Sequence, residues 1–261
     1  PCPECAPGDS GRCRWWNVRS SAGTARAGLL DLGLPRGLRV AMSDHDAMLA
    51  DCLRRVCGKR DTLPLLPNRD QLRANAFGIE LALRWAQAGA RGPQSNFYVY
   101  ATNHLMRRSG RSRFGFLPAA TRRELSSRLL NQEFLTDVFV TRRSKTATRV
   151  VETPIVAAEV EAHANQTVAF NYDHRGYLWD FSKLLYVRAP RRLFIAQLPA
   201  ARIPALCKTL GLGFRDAPHD DAAVTWAVVL PAANRDIAAA RTAVSVGSEL
   251  LRFRPAFAAA Q

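Results

Sequence analysis

The sequence predicts a mixed α/β layer fold, on three observations. Apolar residues recur at helical spacing over residues 43–58 and 68–89. Alternating β-branched and aromatic runs follow, and helix-like and strand-like segments then interchange to the end of the chain. The composition, 48% hydrophobic and 23% charged over 261 residues, suits a folded chain with one substantial core. No internal repeat is visible.

Residues 1–41 contain Gly, Pro, Arg and the pair Trp15-Trp16 without a sustained period. They read as an irregular N-terminal extension, either upstream of a start at Met42 or a loosely ordered arm, ahead of a single α/β domain over 42–261. Ser43 can cap a helix, with Met48, Leu49, Cys52, Leu53 and Val56 on its apolar side and Gly58 closing it. Asn68 opens a second helix striped by Leu72, Ala76, Ile79 and Leu83. A strand is expected at 96–102 and a basic loop at 107–113.

Thr121-Arg-Arg-Glu124 matches a capping box and predicts a helix to about Asn131. Strands are expected at 133–141, 148–151 and 155–163, a helix at 177–187 and a strand at 193–198. The tail reads as helix (202–210), strand (224–230) and helix (235–246). The central order is therefore α-β-β-β-α-β, with N-terminal helices before it and a small α/β extension after it.

The net charge is +15, and only four of the 37 basic residues are lysines. Such an excess favours a polyanionic partner, above all nucleic acid, DNA and RNA alike. The preference for arginine over lysine is equally explained by a GC-rich genome. The charge is also uneven: residues 107–149 hold eleven Lys/Arg against three acids. Arg107, Arg108, Arg111 and Arg113, with Arg142, Arg143 and Lys145, are expected to track phosphates. No apolar run is long enough to span a bilayer and no export signal is visible, so a cytoplasmic protein with no membrane partner is expected.

Side chains two apart on a strand share a face. Over 155–163, Val156, Ala158, Val160 and Ala162 point one way, while Ile155, Ala157, Glu159, Glu161 and His163 point the other. Two carboxylates in such a row are costly unless they are paired or bind a cation. Asp137 likewise interrupts the row of Leu135 and Phe139. If the strands form a meander, Asp137 and Glu159 converge, as a hard cation such as Mg²⁺ requires. The alternative is a solvated sheet face, its acids paired with Arg142, Arg143 or Arg149.

Asp137, the strand motif Glu159-Val-Glu161, the helix Tyr177-Leu-Trp-Asp-Phe-Ser-Lys183 and the strand Leu193-Phe-Ile-Ala together resemble the PD-(D/E)xK nuclease superfamily. The resemblance covers about residues 119–198. It implies a restriction-endonuclease-like αβββαβ core and hydrolysis of DNA phosphodiesters with Mg²⁺, or Mn²⁺ in its place. Glu161 stands where the family usually has lysine; some members supply the basic group from the next helix, where Lys183 lies. Thr136 replaces the usual proline before the first acid.

On this resemblance Asp137 and Glu159 bind the metal, and Glu161 completes that shell or orients water. Lys183 stabilises the charge that develops on the phosphate or helps position the nucleophile. An ordinary helix residue paired with Asp180 is the other reading of Lys183. Glu124, on the preceding helix, could add a metal contact as helix-borne acids do in some relatives, and its capping box is the sufficient structural alternative. A homodimer would suit double-strand cutting. The rival functions are a non-catalytic nucleic-acid-binding protein on the same fold and an interaction domain with no nucleic-acid role.

Cys2-Pro-Glu-Cys5 has the form of half a zinc knuckle, which Cys13 or the Cys52/Cys57 pair would have to complete. A cysteine nucleophile would have to be Cys52, Cys57 or Cys207, and none has a recognisable context. His163 and His174 are weaker candidates, at a strand end and in a loop. Neither a phosphate-binding glycine loop nor a Gly-x-Ser-x-Gly elbow occurs.

Overall fold

An eight-stranded mixed sheet organises the protein, with a pair of helices on each face. The computed structural model describes residues 36–57, 71–88, 97–101, 129–131, 136–145, 149–162, 175–220, 222–232 and 234–257. The helices are α1 (Arg36–Cys57), α2 (Gln71–Ala88), α3 (Arg175–Tyr186) and α4 (Ile203–Asp216). The strands are β1 (Phe97–Ala101), β2 (Leu129–Asn131), β3 (Val138–Lys145), β4 (Val150–Ala162), β5 (Arg191–Leu198), β6 (Val224–Pro231), β7 (Arg241–Val246) and β8 (Arg254–Pro255). They lie in the order β2-β1-β3-β4-β5-β6-β7-β8.

β1, β3 and β4 form an antiparallel set, while β4, β5 and β6 run parallel. Parallel neighbours need a crossover, which α3 provides from β4 to β5 and α4 from β5 to β6. Both helices cover one face, where Phe181, Leu184, Leu206, Leu210 and Phe214 meet Phe139, Ala157, Phe194 and Val229. On the opposite face, Leu49, Leu53, Phe77 and Leu81 of α1 and α2 meet Val140, Val156, Val160, Ile195 and Val228. Every central strand is thus buried on both sides, as parallel sheets require.

Several boundaries differ from those the sequence suggests. α1 begins at Arg36 and runs through Ser43, so the predicted cap is an interior position. The helix expected to reach Asn131 does not: 129–131 form β2, parallel to β1, and 121–128 lie outside the described residues. The strands expected at 148–151 and 155–163 are one strand, β4. Pro154 is accommodated because Thr141 pairs with Pro154 while Val140 pairs with Val156, leaving Ile155 as the extra residue of a bulge. That bulge moves Ile155 off the carboxylate face and onto the α1–α2 side.

The final predicted helix, 235–246, is a 3₁₀ turn (Asn234–Ala239) followed by β7. Alanines there favour helix, but Thr242, Val244 and Val246 pair with β6 and Trp226 Nε1 donates to Thr242 Oγ1 at 2.9 Å. Arg254 closes the sheet's edge against α1 through a two-pronged ion pair to Asp46 at 2.7 and 2.8 Å.

Candidate functional site

The antiparallel ladder of β3 and β4 ends at the pair Val138–Ala158. One step further stand Asp137, in the bend that leads into β3, and Glu159. Asp137 Oδ2 accepts a hydrogen bond from the Val160 backbone N–H at 3.0 Å, so the side chain takes over where the ladder stops. This anchors Asp137 beside Glu159 at the C-terminal end of β4. Ligands of open α/β sheets commonly bind at the C-terminal ends of parallel strands.

Glu159 is only 1% exposed. On its other side its registered partner is Phe194 of β5, whose ring meets Phe181 of α3 edge-on at 5.2 Å. Tyr177 of α3 donates its hydroxyl hydrogen to the Gln197 carbonyl at 3.2 Å, holding the start of the helix over this end of the sheet. The face that bears the acids is therefore not the solvated face that the alternative reading required.

Lys183 closes the site from α3. Its Nζ lies 2.9 Å from Glu159 Oε1, off the axis of an aligned hydrogen bond, and 3.1 Å from Asp180 Oδ1. Lys183 thus pairs with Asp180 and also reaches the buried carboxylate. Burial and the neighbouring charge of Asp137 push the Glu159 carboxyl up to about 9, against the opposing pull of Lys183. Burial works against the Lys183 charge, but Glu159 and Asp180 outweigh it and its pKa is raised.

Glu161 is half-buried and follows Glu159 on the same face, roughly 6.5–7 Å along the strand. Among the described residues no group of three or more His, Cys, Asp or Glu is gathered in a metal-binding arrangement. Two carboxylate oxygens crowded by like charge nevertheless suit Mg²⁺, which keeps several waters and often takes only one or two protein carboxylates.

The basic residues separate into two groups. Arg107, Arg108, Arg111 and Arg113 lie outside the described residues, as do Glu124, His163, His174, Cys2, Cys5 and Cys13. Arg142, Arg143 and Lys145 belong to β3 and not to a loop. They sit at the opposite end of that strand from Asp137, some ~17–27 Å away at the rise of an extended chain. They therefore do not flank the acids, so a phosphate path along them would run away from Asp137 and Glu159.

Arg142 lies over the Phe97 ring, 5.4 Å from its centre, and Arg143 over Tyr98 at 3.7 Å. Arg143 also grips Glu152 Oε1 through Nε at 2.8 Å and Nη2 at 2.5 Å, while Tyr100 and Thr141 donate to Oε2. Burial opposes the Glu152 charge, yet these donors prevail and hold its carboxyl below the usual range. The sequence shows this cluster only if β1, β3 and β4 are known to be neighbours.

Cys52 is buried between α1 and α2, and burial pushes its thiol well above the ordinary value. That disfavours the thiolate which a zinc ligand or a nucleophile needs. Cys207, half-buried on α4, is pushed up to about 12 for the same reason. No helix among the described residues is long and apolar enough to cross a membrane. No family model, curated protein or solved structure matches the chain.

Proposed function

We propose that the protein is a metal-dependent nuclease that hydrolyses DNA phosphodiester bonds. The observation that carries this reading is a buried carboxylate, Glu159, placed beside a second, Asp137, with the Lys183 ammonium 2.9 Å away. The element order supports it. In chain order α2 is followed by β1, β2, β3, β4, α3 and β5; with the short edge strand β2 set aside, antiparallel β1, β3 and β4 stand between two helices and β5 runs parallel to β4, which is compatible with an αβββαβ core. A restriction-endonuclease-like core would accordingly span 71–198, with α2 in place of the predicted 121–131 helix.

Asp137 and Glu159 would hold Mg²⁺ or Mn²⁺, with water and a substrate phosphate completing the shell. The bound ion would supply a hydroxide nucleophile and neutralise phosphate charge. Asp137 is fixed for this by the Val160 N–H, and Glu161 lies next along the face to orient water. Lys183 would give up part of its contact with Glu159 and meet charge developing on the phosphate.

The test compares cleavage of plasmid and linear DNA by wild type, Asp137→Asn, Glu159→Gln and Lys183→Ala with each metal. Wild type should cut, and each variant should lose on the order of 10²-fold or more. A wild type inert with both metals leaves the second reading, a non-catalytic nucleic-acid-binding protein on the same fold. One observation favours that alternative. Lys183 already contacts Glu159 without a cation, as a purely structural pair would.

A further inference from the structure

We propose that the outward side of α3 is a stacking platform for the unpaired bases of a single-stranded nucleic acid. The proposal deepens the nuclease reading, on which its link to the carboxylates rests. Phe181, Leu184 and Leu185 turn one side of α3 into the core, and Trp179 and Tyr186 stand opposite, 73% and 69% exposed. These are the two most exposed large hydrophobic side chains among the described residues. They are seven residues apart, two turns, and so lie on one stripe ~10.5 Å long.

Lys183 belongs to the same stripe, one turn after Trp179, and its ammonium is the group 2.9 Å from Glu159. Arg188 is exposed just beyond Tyr186. The platform is thus continuous with the candidate site at one side and ends on a cation.

The chemistry selects the occupant. Between residues 175 and 220 there are eight Lys and Arg against three Asp and Glu; Arg191 and Arg192 are engaged by the Trp85 and Val187 carbonyls, which leaves six against three, and one of those acids, Asp180, is engaged by Lys183. Such a balance suits a polyanion and disfavours a basic protein partner. Two aromatic rings separated by Ser182 do not form the continuous apolar patch that buries a protein helix. Bases inside a duplex stack on one another and offer no free face, whereas unpaired bases stack on exposed rings whatever their sequence. Trp179 would hold a base while the adjoining phosphate reaches Lys183 and the carboxylate pair. The substrate class this implies is a single strand, or a duplex end or flap that carries one.

The experiment measures binding of the full chain to labelled oligothymidylate and to a duplex of equal length by fluorescence anisotropy. A chelator is present, so that no cleavage occurs. Trp179→Ala should weaken single-strand binding about tenfold, Tyr186→Ala should weaken it less, and Trp179→Phe should retain most affinity. Duplex binding should not change. Emission from buried Trp85 and Trp226 reports that each variant is folded.

Single-strand affinity of Trp179→Ala equal to wild type, or an equal loss on duplex, would overturn the platform. So would wild-type self-association in sedimentation that Trp179→Ala abolishes, since the stripe would then be a protein interface. The two readings fail separately. Trp179-dependent binding without any cleavage removes the nuclease and keeps the platform. Cleavage that needs Asp137 and Glu159, with binding indifferent to Trp179, does the reverse.

Discussion

Glu159 shows how a single buried residue ties the candidate site to the stability of the whole chain. Its folded pKa, about 9, lies above the ordinary value of 4.5. Without divalent cations the folded state therefore keeps a proton that the unfolded chain releases. Stability linked to that proton is complete below about pH 4.5 and drains away as pH rises through about 9. Glu159→Gln mimics the neutral form and should flatten this decline. At pH 8.5 in chelator it should be more stable than wild type, with the gap closing towards pH 5. Urea titrations across that range measure it, and parallel wild-type and variant curves would contradict the assignment. Mg²⁺ should reverse the order at alkaline pH, because a bound cation favours the carboxylate that the glutamine lacks.

At the scale of elements, the site depends on how closely α2 lies on β4. A Cβ on Gly78 would collide with the Val160 side chain, and the Val160 N–H anchors Asp137. Gly78→Ala gains helix propensity, yet the overlap should outweigh it and cost about 1–3 kcal/mol. Denaturant unfolding reads the loss. An unchanged or raised midpoint would mean that β4 is free to shift, and with it the carboxylates. This dependence also explains what the sequence made legible.

Asp137, Glu159 and Lys183 were readable because each broke a local pattern: an acid in an apolar row, or a rare lysine on a helix. Alternation fixed the face of Glu159 and Glu161 correctly, since no bulge intervenes between them. It failed at Ile155, where the extra residue is visible only in the pairing with β3. Local propensity failed again at β7, where alanines suggested helix and pairing with β6 decided otherwise. The first helix of the core was sought at 121–131 because a capping box is a local signal. That 129–131 form a strand instead follows from their pairing with β1, which is a long-range property.

For the molecule as a whole, the charge of +15 is less uniform in its consequences than the number suggests. If nucleic acid is the partner, its binding should be strongly salt-dependent, through counterions released from the phosphates. Neutralising about four phosphates would lower duplex affinity about a hundredfold between ~50 and ~200 mM salt. Not every arginine contributes to that slope. Arg143 is held by Glu152 and stacked on Tyr98, so it serves β3 and β4 before it can serve a phosphate.

Arg143→Ala should therefore leave the salt slope as it is and lower the melting temperature by about 2–4 °C. The pH dependence of that deficit follows from Glu152, whose carboxyl is held below the usual range. Stability from a depressed carboxyl is present above its unfolded pKa and is lost as pH falls through the folded one. The gap between wild type and Arg143→Ala should be full at pH 7 and close on acidification. A phosphate-contacting arginine behaves in the opposite way, reducing the slope by about one with no change in melting. Measured together, slope and melting decide whether the positive charge at this end of the sheet is offered to a polyanion or already spent inside the fold.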